Sequence, residues 1–253
     1  MFRFAQHDKI TPMEIVPLGD SALIVRVREQ FDDAPEETLD EVLRAFQRIR
    51  NAAIPSVIEL APAYTSVAVF FDPITAAKAI ETPGELFDLF VERIRAAVAA
   101  GADRGSRRRT ARFRAHLVEI PACYDPEFAL DIDDVARRAN VSTSDVIRLH
   151  SAAEYRVACI GFVPGFPFLT GLPKKLATPR RDVPRKEIQP GSVGIGGAQT
   201  GIYPLRSPGG WNLIGRTPLR LFDPDKTPPT LLRAGDRVRF RVITREEFES
   251  FKR

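Results

Sequence analysis

From Pro164 to Pro229 the sequence carries 12 of its 21 prolines, and from Gly191 to Gly215 it carries eight of its 16 glycines. Such punctuation forbids long helices, because proline removes a backbone donor and glycine weakens any element interior. Between these residues lie short apolar segments that read as strands: Ser192 to Ile195, Gly201 to Tyr203, Trp211 to Ile214, Leu219 to Phe222 and Asp236 to Ile243. Many short strands with Gly/Pro turns predict a β-barrel. The densest run, GSVGIGGAQTGIYPL (Gly191 to Leu205), invites comparison with phosphate-binding loops. It lacks G-x-x-x-x-G-K-[ST], and after Gly194 and Gly196 the sixth position of G-x-G-x-x-G is Gln199. Both motifs also need a following helix, whereas Ile202-Tyr203-Pro204-Leu205 reads as strand and turn. Glycines within short barrel strands mark bulges, corners or close approach by a backbone or a ligand.

Ahead of the barrel, Phe113 to Ile120 reads as a strand, and two short helices follow. Asp131 is placed to cap the first, which ends near Ala139. Ser142 and Asp145 form a capping-box-like start for the second, which runs toward Glu154. The N-terminal part has a different texture. Ser21 to Val27 is a strand pattern, and Pro35 to Arg50 places Leu39, Val42, Leu43, Phe46 and Ile49 at helical spacing. Val57 to Leu60 and Ser66 to Phe71 read as strands joined by Pro62-Ala63-Tyr64, and Gly84 to Ala100 is a second helix. That order predicts a small α+β sandwich. The expected organisation is an N-terminal α+β domain over 1–100, a linker over 101–112 and the barrel domain over 113–253.

Charge follows the same division. Residues 1–100 carry 10 Lys+Arg against 16 Asp+Glu, a net of −6, and the remainder carries 27 against 17, a net of +10. The clusters Arg104 to Arg114 and Lys174 to Lys186 supply most of the excess. Neither has the aromatic-basic interleaving of a nucleic-acid module, and prolines around the second exclude a recognition helix, so no nucleic-acid partner is expected. An acidic small molecule or acidic protein fits better. No apolar run approaches the ~18 residues of a membrane span, and MFRFAQHDKITPME has no signal-type apolar core, which points to a cytoplasmic protein without a membrane partner. Two cysteines and three scattered histidines predict neither a disulfide framework nor a bound metal or prosthetic group.

Three long segments carry a family resemblance: LHSAAEYRVACIGFVPGFPFLTGLP, TPRRDVPRKEIQPGSVGIGGAQTGIYPLRSPGGWNLIGRTPLRLFDP and LLRAGDRVRF, with PLGDSALIVRV near the start. The chain resembles the B-subunit family of ATP-dependent 5-oxoprolinase. That family is also described as allophanate hydrolase subunit 1, and it includes the sporulation-kinase inhibitor of bacilli. The resemblance implies a bacterial protein with an N-terminal α+β domain and a cyclophilin-like barrel. It implies the 5-oxoprolinase C and A subunits as partners, with ATP (and Mg) as co-substrate for opening 5-oxo-L-proline to L-glutamate. Its alternatives are inhibition of a sensor histidine kinase, or a carboxyltransferase-like role in urea and allophanate metabolism. The Ser-Ser-Lys apparatus of an allophanate-type amidase is absent, as is a nucleophile elbow. Alone, the chain is expected to be inactive.

A lactam-opening site needs donors for phosphate and carboxylate and a proton shuttle. His150 and Glu154, four residues apart, would share a helix face as shuttle and orienting carboxylate, or else form a surface ion pair or leave His150 a satisfied histidine. Arg180, Arg181 and Arg185 offer planar donors, or form a solvated loop. Gly196, Gly197, Gln199 and Thr200 could form an anion-binding nest. Trp211 is either a core anchor or a pocket wall. Phe162, Phe166 and Phe168, set between Pro164, Gly165 and Pro167, form an apolar lid, a docking surface or core.

Overall fold

Along Ser66–Phe71 every second residue is buried, beginning with Val67. This period-2 pattern fixes one face of a sheet against a core. The computed structural model describes residues 13–31, 34–78, 86–100 and 116–251. They fall into two compact units, Met1–Thr110 and Ala111–Arg253. The expected linker over 101–112 and the start of the expected strand at Phe113 lie outside the described residues.

The first unit is a four-stranded antiparallel sheet of β1 (Glu14–Pro17), β2 (Ala22–Arg26), β3 (Val57–Ala63) and β4 (Ser66–Phe71), in the order β1-β2-β4-β3. Its helices are α1 (Pro35–Asn51), α2 (Pro73–Ala77) and α3 (Leu86–Ala99). Leu23, Val25, Val67, Val69 and Phe71 meet Val42 and Ile49 of α1 and Phe90 and Ile94 of α3. The rings of Phe71 and Phe90 stack with centroids 4.3 Å apart. This is the expected α+β sandwich. One turn differs: β3 continues through Ala63, and the reversal falls at Tyr64, which takes the left-handed conformation at φ 46°.

The second unit begins with β5 (Leu117–Cys123), α4 (Ile132–Ala139), α5 (Thr143–Ala152), β6 (Glu154–Ile160) and β7 (Pro167–Thr170). After a short 3-10 turn at Lys174–Leu176 come β8 (Arg185–Ile188), β9 (Ser192–Gly196), β10 (Gln199–Ile202), β11 (Ser207–Gly209), β12 (Asn212–Arg216), β13 (Arg237–Ile243) and α6 (Arg245–Ser250). Seven strands close a barrel in the order β10-β7-β6-β13-β5-β12-β9, and β8 with β11 forms a separate ribbon. Closure leaves no barrel edge to protect. Among the described strands only β5 and β13 pair in parallel, in register from Leu117↔Arg237 to Cys123↔Ile243. Ile120, Tyr155, Val157, Leu169, Val193, Ile195, Ile202, Val238 and Phe240 belong to its buried cluster, which also takes Val135 and Ala136 of α4 and Val146 of α5.

Two local expectations are corrected. Leu219 to Phe222 forms no strand; Phe222 alone makes a bridge, to Thr230. Pro218, Pro224, Pro228 and Pro229 interrupt any ladder around it. α5 also stops before Glu154: Ala153 is extended at ψ 151° and Glu154 opens β6.

Gly191 turns the chain from the β8 arm into β9 at φ +85°, its N–H donating to the Tyr203 carbonyl (2.7 Å) and its own carbonyl accepting from Thr217 N–H (2.9 Å). A methyl group there would collide with the Thr217 carbonyl oxygen. Gly191→Ala should therefore cost the barrel more than about 1 kcal/mol, from positive φ alone. A lowered denaturant midpoint at unchanged slope checks this.

Candidate functional site

The glycines of the β9–β10 hairpin are a seat for Trp211. Gly194 and Gly196 share a face of β9, and Gly201 pairs with Gly194 across the hairpin. A Cβ on Gly196 would lie 2.6 Å from both Cε2 and Nε1 of the indole and 2.7 Å from Cδ2, so the ring face lies directly over this residue. A Cβ on Gly201 would sit 3.0 Å from Trp211 Cζ3 and 3.0 Å from Phe166 Cζ. Phe166 and Phe168 meet the indole at centroid distances of 5.4 and 5.8 Å, near perpendicular. Tyr203 completes the group, 5.1 Å from Phe166. Trp211 is 5% exposed, so it is a core anchor. Phe162 lies outside this cluster's buried part, 62% exposed at the loop tip with φ 66°.

Gly197 differs from its neighbours. Its φ is +65° and the space around its missing Cβ is open. Its N–H donates to the Thr178 carbonyl at 2.7 Å, and Thr178 N–H donates back to its carbonyl at 3.1 Å. That N–H is therefore committed, and the expected nest at Gly196, Gly197, Gln199 and Thr200 is not formed as a set: Gly196 floors the indole, and Thr200 points into the core.

The arginine loop is tied down by a residue expected only to cap a helix. Asp131 makes no side-chain cap to α4. Its carboxylate, 2% exposed, accepts from Arg181 Nη1 (2.6 Å), Arg185 Nη1 and Nη2 (2.8 and 2.7 Å) and Leu213 N–H (2.7 Å). Asp131 N–H in turn donates to the Leu213 carbonyl at 2.8 Å. Asn212 Nδ2 donates to the carbonyls of Pro179 (2.8 Å) and Ile195 (3.1 Å). Arg181 N–H donates to the Gly210 carbonyl at 2.7 Å. Arg180 is exposed and makes no ion pair among the described residues. Burial raises the Tyr203 phenol above its ordinary value, against the pull of a hydrogen bond with the Trp211 backbone and of the Arg180 and Arg185 charges. The structure thus brings Arg180, Arg181, Arg185, Gly196, Gly197 and Trp211 into one neighbourhood.

His150 and Glu154 are not paired. His150 is fully buried, with Nδ1 2.8 Å from Tyr124 Oη and Nε2 3.0 Å from Thr200 Oγ1. Thr200 Oγ1 donates to the Gly194 carbonyl at 3.0 Å, so it accepts from His150. The proton therefore sits on Nε2, and Tyr124 donates to Nδ1. Tyr155 Oη donates to the His150 carbonyl at 2.7 Å. A group so enclosed suits a core tether better than a shuttle to solvent. Glu154 instead pairs with Arg237 and with Arg239 (3.2 Å) on β13, and those contacts hold its carboxyl below the usual range.

Burial lowers the His150 pKa to about 3. The folded state then binds fewer protons than the unfolded state between the ordinary His value near 6.5 and about 3, so stability falls as pH drops through that window. Between pH 6.5 and 5, above the carboxylates, the stability of wild type should fall more steeply than that of His150→Gln, by up to ~1.4 kcal/mol per pH unit. Equal slopes in paired denaturant titrations would place His150 in contact with water.

Asp131, Asn212, Tyr124 and Tyr203 are the residues that sequence reasoning missed. An aspartate before a helix gives a capping signal, and nothing local announces partners 50 to 82 residues away. Among the described residues no three His, Cys, Asp or Glu side chains converge as a metal cage, and no helix is long and apolar enough to cross a membrane.

Comparison with known proteins bears on what this arrangement serves. The family model described as carboxyltransferase domain, subdomain C and D, matches residues 13–232. The 5-oxoprolinase B subunit of Bacillus subtilis is 42% identical over 243 residues, covering 94% of this chain and 96% of that protein. The crystal structure of TTHA0988 aligns with a TM-score of 0.67 at 33% identity, over 88% of this chain and 39% of that one. The urea carboxylase of Kluyveromyces lactis aligns with a TM-score of 0.67 over 93% of this chain and 22% of that one. At 20% identity that likeness is one of fold alone.

Proposed function

Since the chain belongs to the carboxyltransferase subdomain C and D family, and within it to the 5-oxoprolinase B-subunit sequences, we propose that it is the B component of an ATP-dependent 5-oxoprolinase. The observation that carries this reading is the 42% identity to the B. subtilis protein across nearly the whole of both chains. The complex would convert 5-oxo-L-proline to L-glutamate in the cytoplasm, with separate C and A subunits. A lactam resists water because its carbonyl is stabilised by the amide nitrogen, which is also a poor leaving group. Transfer of the ATP γ-phosphoryl to the carbonyl oxygen, with Mg accompanying the nucleotide, would weaken that stabilisation and let water add.

This chain's own chemistry supports a contributing role in a shared site. Its core histidine is sealed among Tyr124, Thr200 and Tyr155, and both cysteines are buried. What the barrel unit offers to a ligand is positive charge and donors on the arginine loop, beside a rigid aromatic seat. Those groups suit binding and charge stabilisation, while the proton-transfer groups would come from a partner.

Mixing experiments test the reading. The purified chain should show no 5-oxoproline-dependent ATP hydrolysis, and turnover should appear when the A and C subunits are added. Robust turnover by this chain alone would contradict the shared site. Absence of turnover with both partners, each verified as folded, would contradict the assignment to this complex.

A further inference from the structure

The loop between the 3-10 turn and β8 carries three arginines, and the structure treats one of them differently. Arg181 and Arg185 converge on the Asp131 carboxylate. Arg180 lies exposed, without an ion pair among the described residues. Its backbone is nevertheless held on both sides. The Pro179 carbonyl before it accepts from Asn212 Nδ2, and the Arg181 N–H after it donates to Gly210. The Arg181 side chain is then drawn to Asp131, which is itself tied to β12 through both backbone groups of Leu213. A solvated surface loop needs no such attachments. A loop that must present one cation in a fixed place does.

The charge balance also favours an anion here. Two guanidiniums face one carboxylate here, and with Arg180 and Asp182 counted the loop and Asp131 carry three positive charges against two negative, a local excess of one.

We propose that Asp131 and Asn212 are positioning residues that lock the 178–185 loop onto β12 so that Arg180 meets a carboxylate or phosphate group of a ligand. This deepens the 5-oxoprolinase reading, on which it rests for the identity of the ligand, 5-oxoproline or ATP, but not for anion binding itself. Asp131 and Asn212 touch no ligand in this account. They act through Arg180, and losing either should weaken binding only while Arg180 is present.

The test is calorimetric titration of the intact chain at low salt with inorganic pyrophosphate and, separately, with L-glutamate. The two arms distinguish a phosphate site from a carboxylate site. At least one should bind, and Arg180→Ala should weaken that binding tenfold or more. Asn212→Ala should weaken it several-fold with near-ultraviolet circular dichroism retained, and Asp131→Asn at least as much. The double variant Arg180→Ala/Asn212→Ala should bind no more weakly than Arg180→Ala alone. Additive losses in the double variant, or wild-type affinity in Asn212→Ala, would overturn the positioning role. If Asp131→Asn does not fold, the Asn212 cycle decides. Binding of neither anion would overturn the site itself, while activity on mixing with the A and C subunits would leave the 5-oxoprolinase reading standing.

Discussion

The face of one indole on a glycine floor organises the barrel unit. Trp211 can lie over Gly196 only because no side chain rises from that position, and Gly194 and Gly201 extend the clearance across the hairpin. The ring in turn fixes Phe166 and Phe168 of the aromatic loop. The next two residues carry the order outward. Asn212 reaches the Pro179 and Ile195 carbonyls, and Leu213 donates its N–H to the Asp131 carboxylate while its carbonyl accepts from Asp131 N–H. Three consecutive residues thus join the hairpin, the arginine loop and the start of α4.

Charge and shape divide the work in this neighbourhood. A buried carboxylate facing two guanidiniums is a weak source of net stability, because desolvation offsets much of the attraction. Its value is geometric: bidentate contact with Arg185 fixes an angle as well as a distance. The barrel interior solves the opposite problem with a neutral chain running from Tyr124 through His150 and Thr200 to the Gly194 carbonyl. Every member has a partner, so burial of these polar groups is tolerated and α5 is tied to β10. The same hairpin is therefore held from outside by Trp211 and from inside by His150.

Architecture is legible wherever local pattern decides structure. Helical spacing in Pro35 to Arg50 and alternation in Ser66 to Phe71 specify the sandwich, and Gly/Pro punctuation specifies the barrel. The site is only partly legible. Arg180, Arg181, Arg185, Gly196, Gly197 and Trp211 stand out in the sequence and do lie together. What organises them is not visible there, because Asp131 reads locally as a cap while its partners are far along the chain. The His150–Glu154 pairing fails for the converse reason. It extrapolates helical periodicity past Ala153, where the chain turns extended to enter β6. Glycine is ambiguous in sequence for a plain physical reason: a missing side chain records that something is close, and not whether it is a ligand or an indole.

The sequence contains a single tryptophan, so its fluorescence reports on the seat directly. The account predicts a blue-shifted emission in the native chain, shielded from acrylamide. In Gly196→Ala it predicts a red shift and faster quenching while far-ultraviolet circular dichroism is retained, as the added methyl lifts the ring. A red, freely quenched emission in wild type would contradict the account, as would a Gly196→Ala chain with unchanged emission and stability.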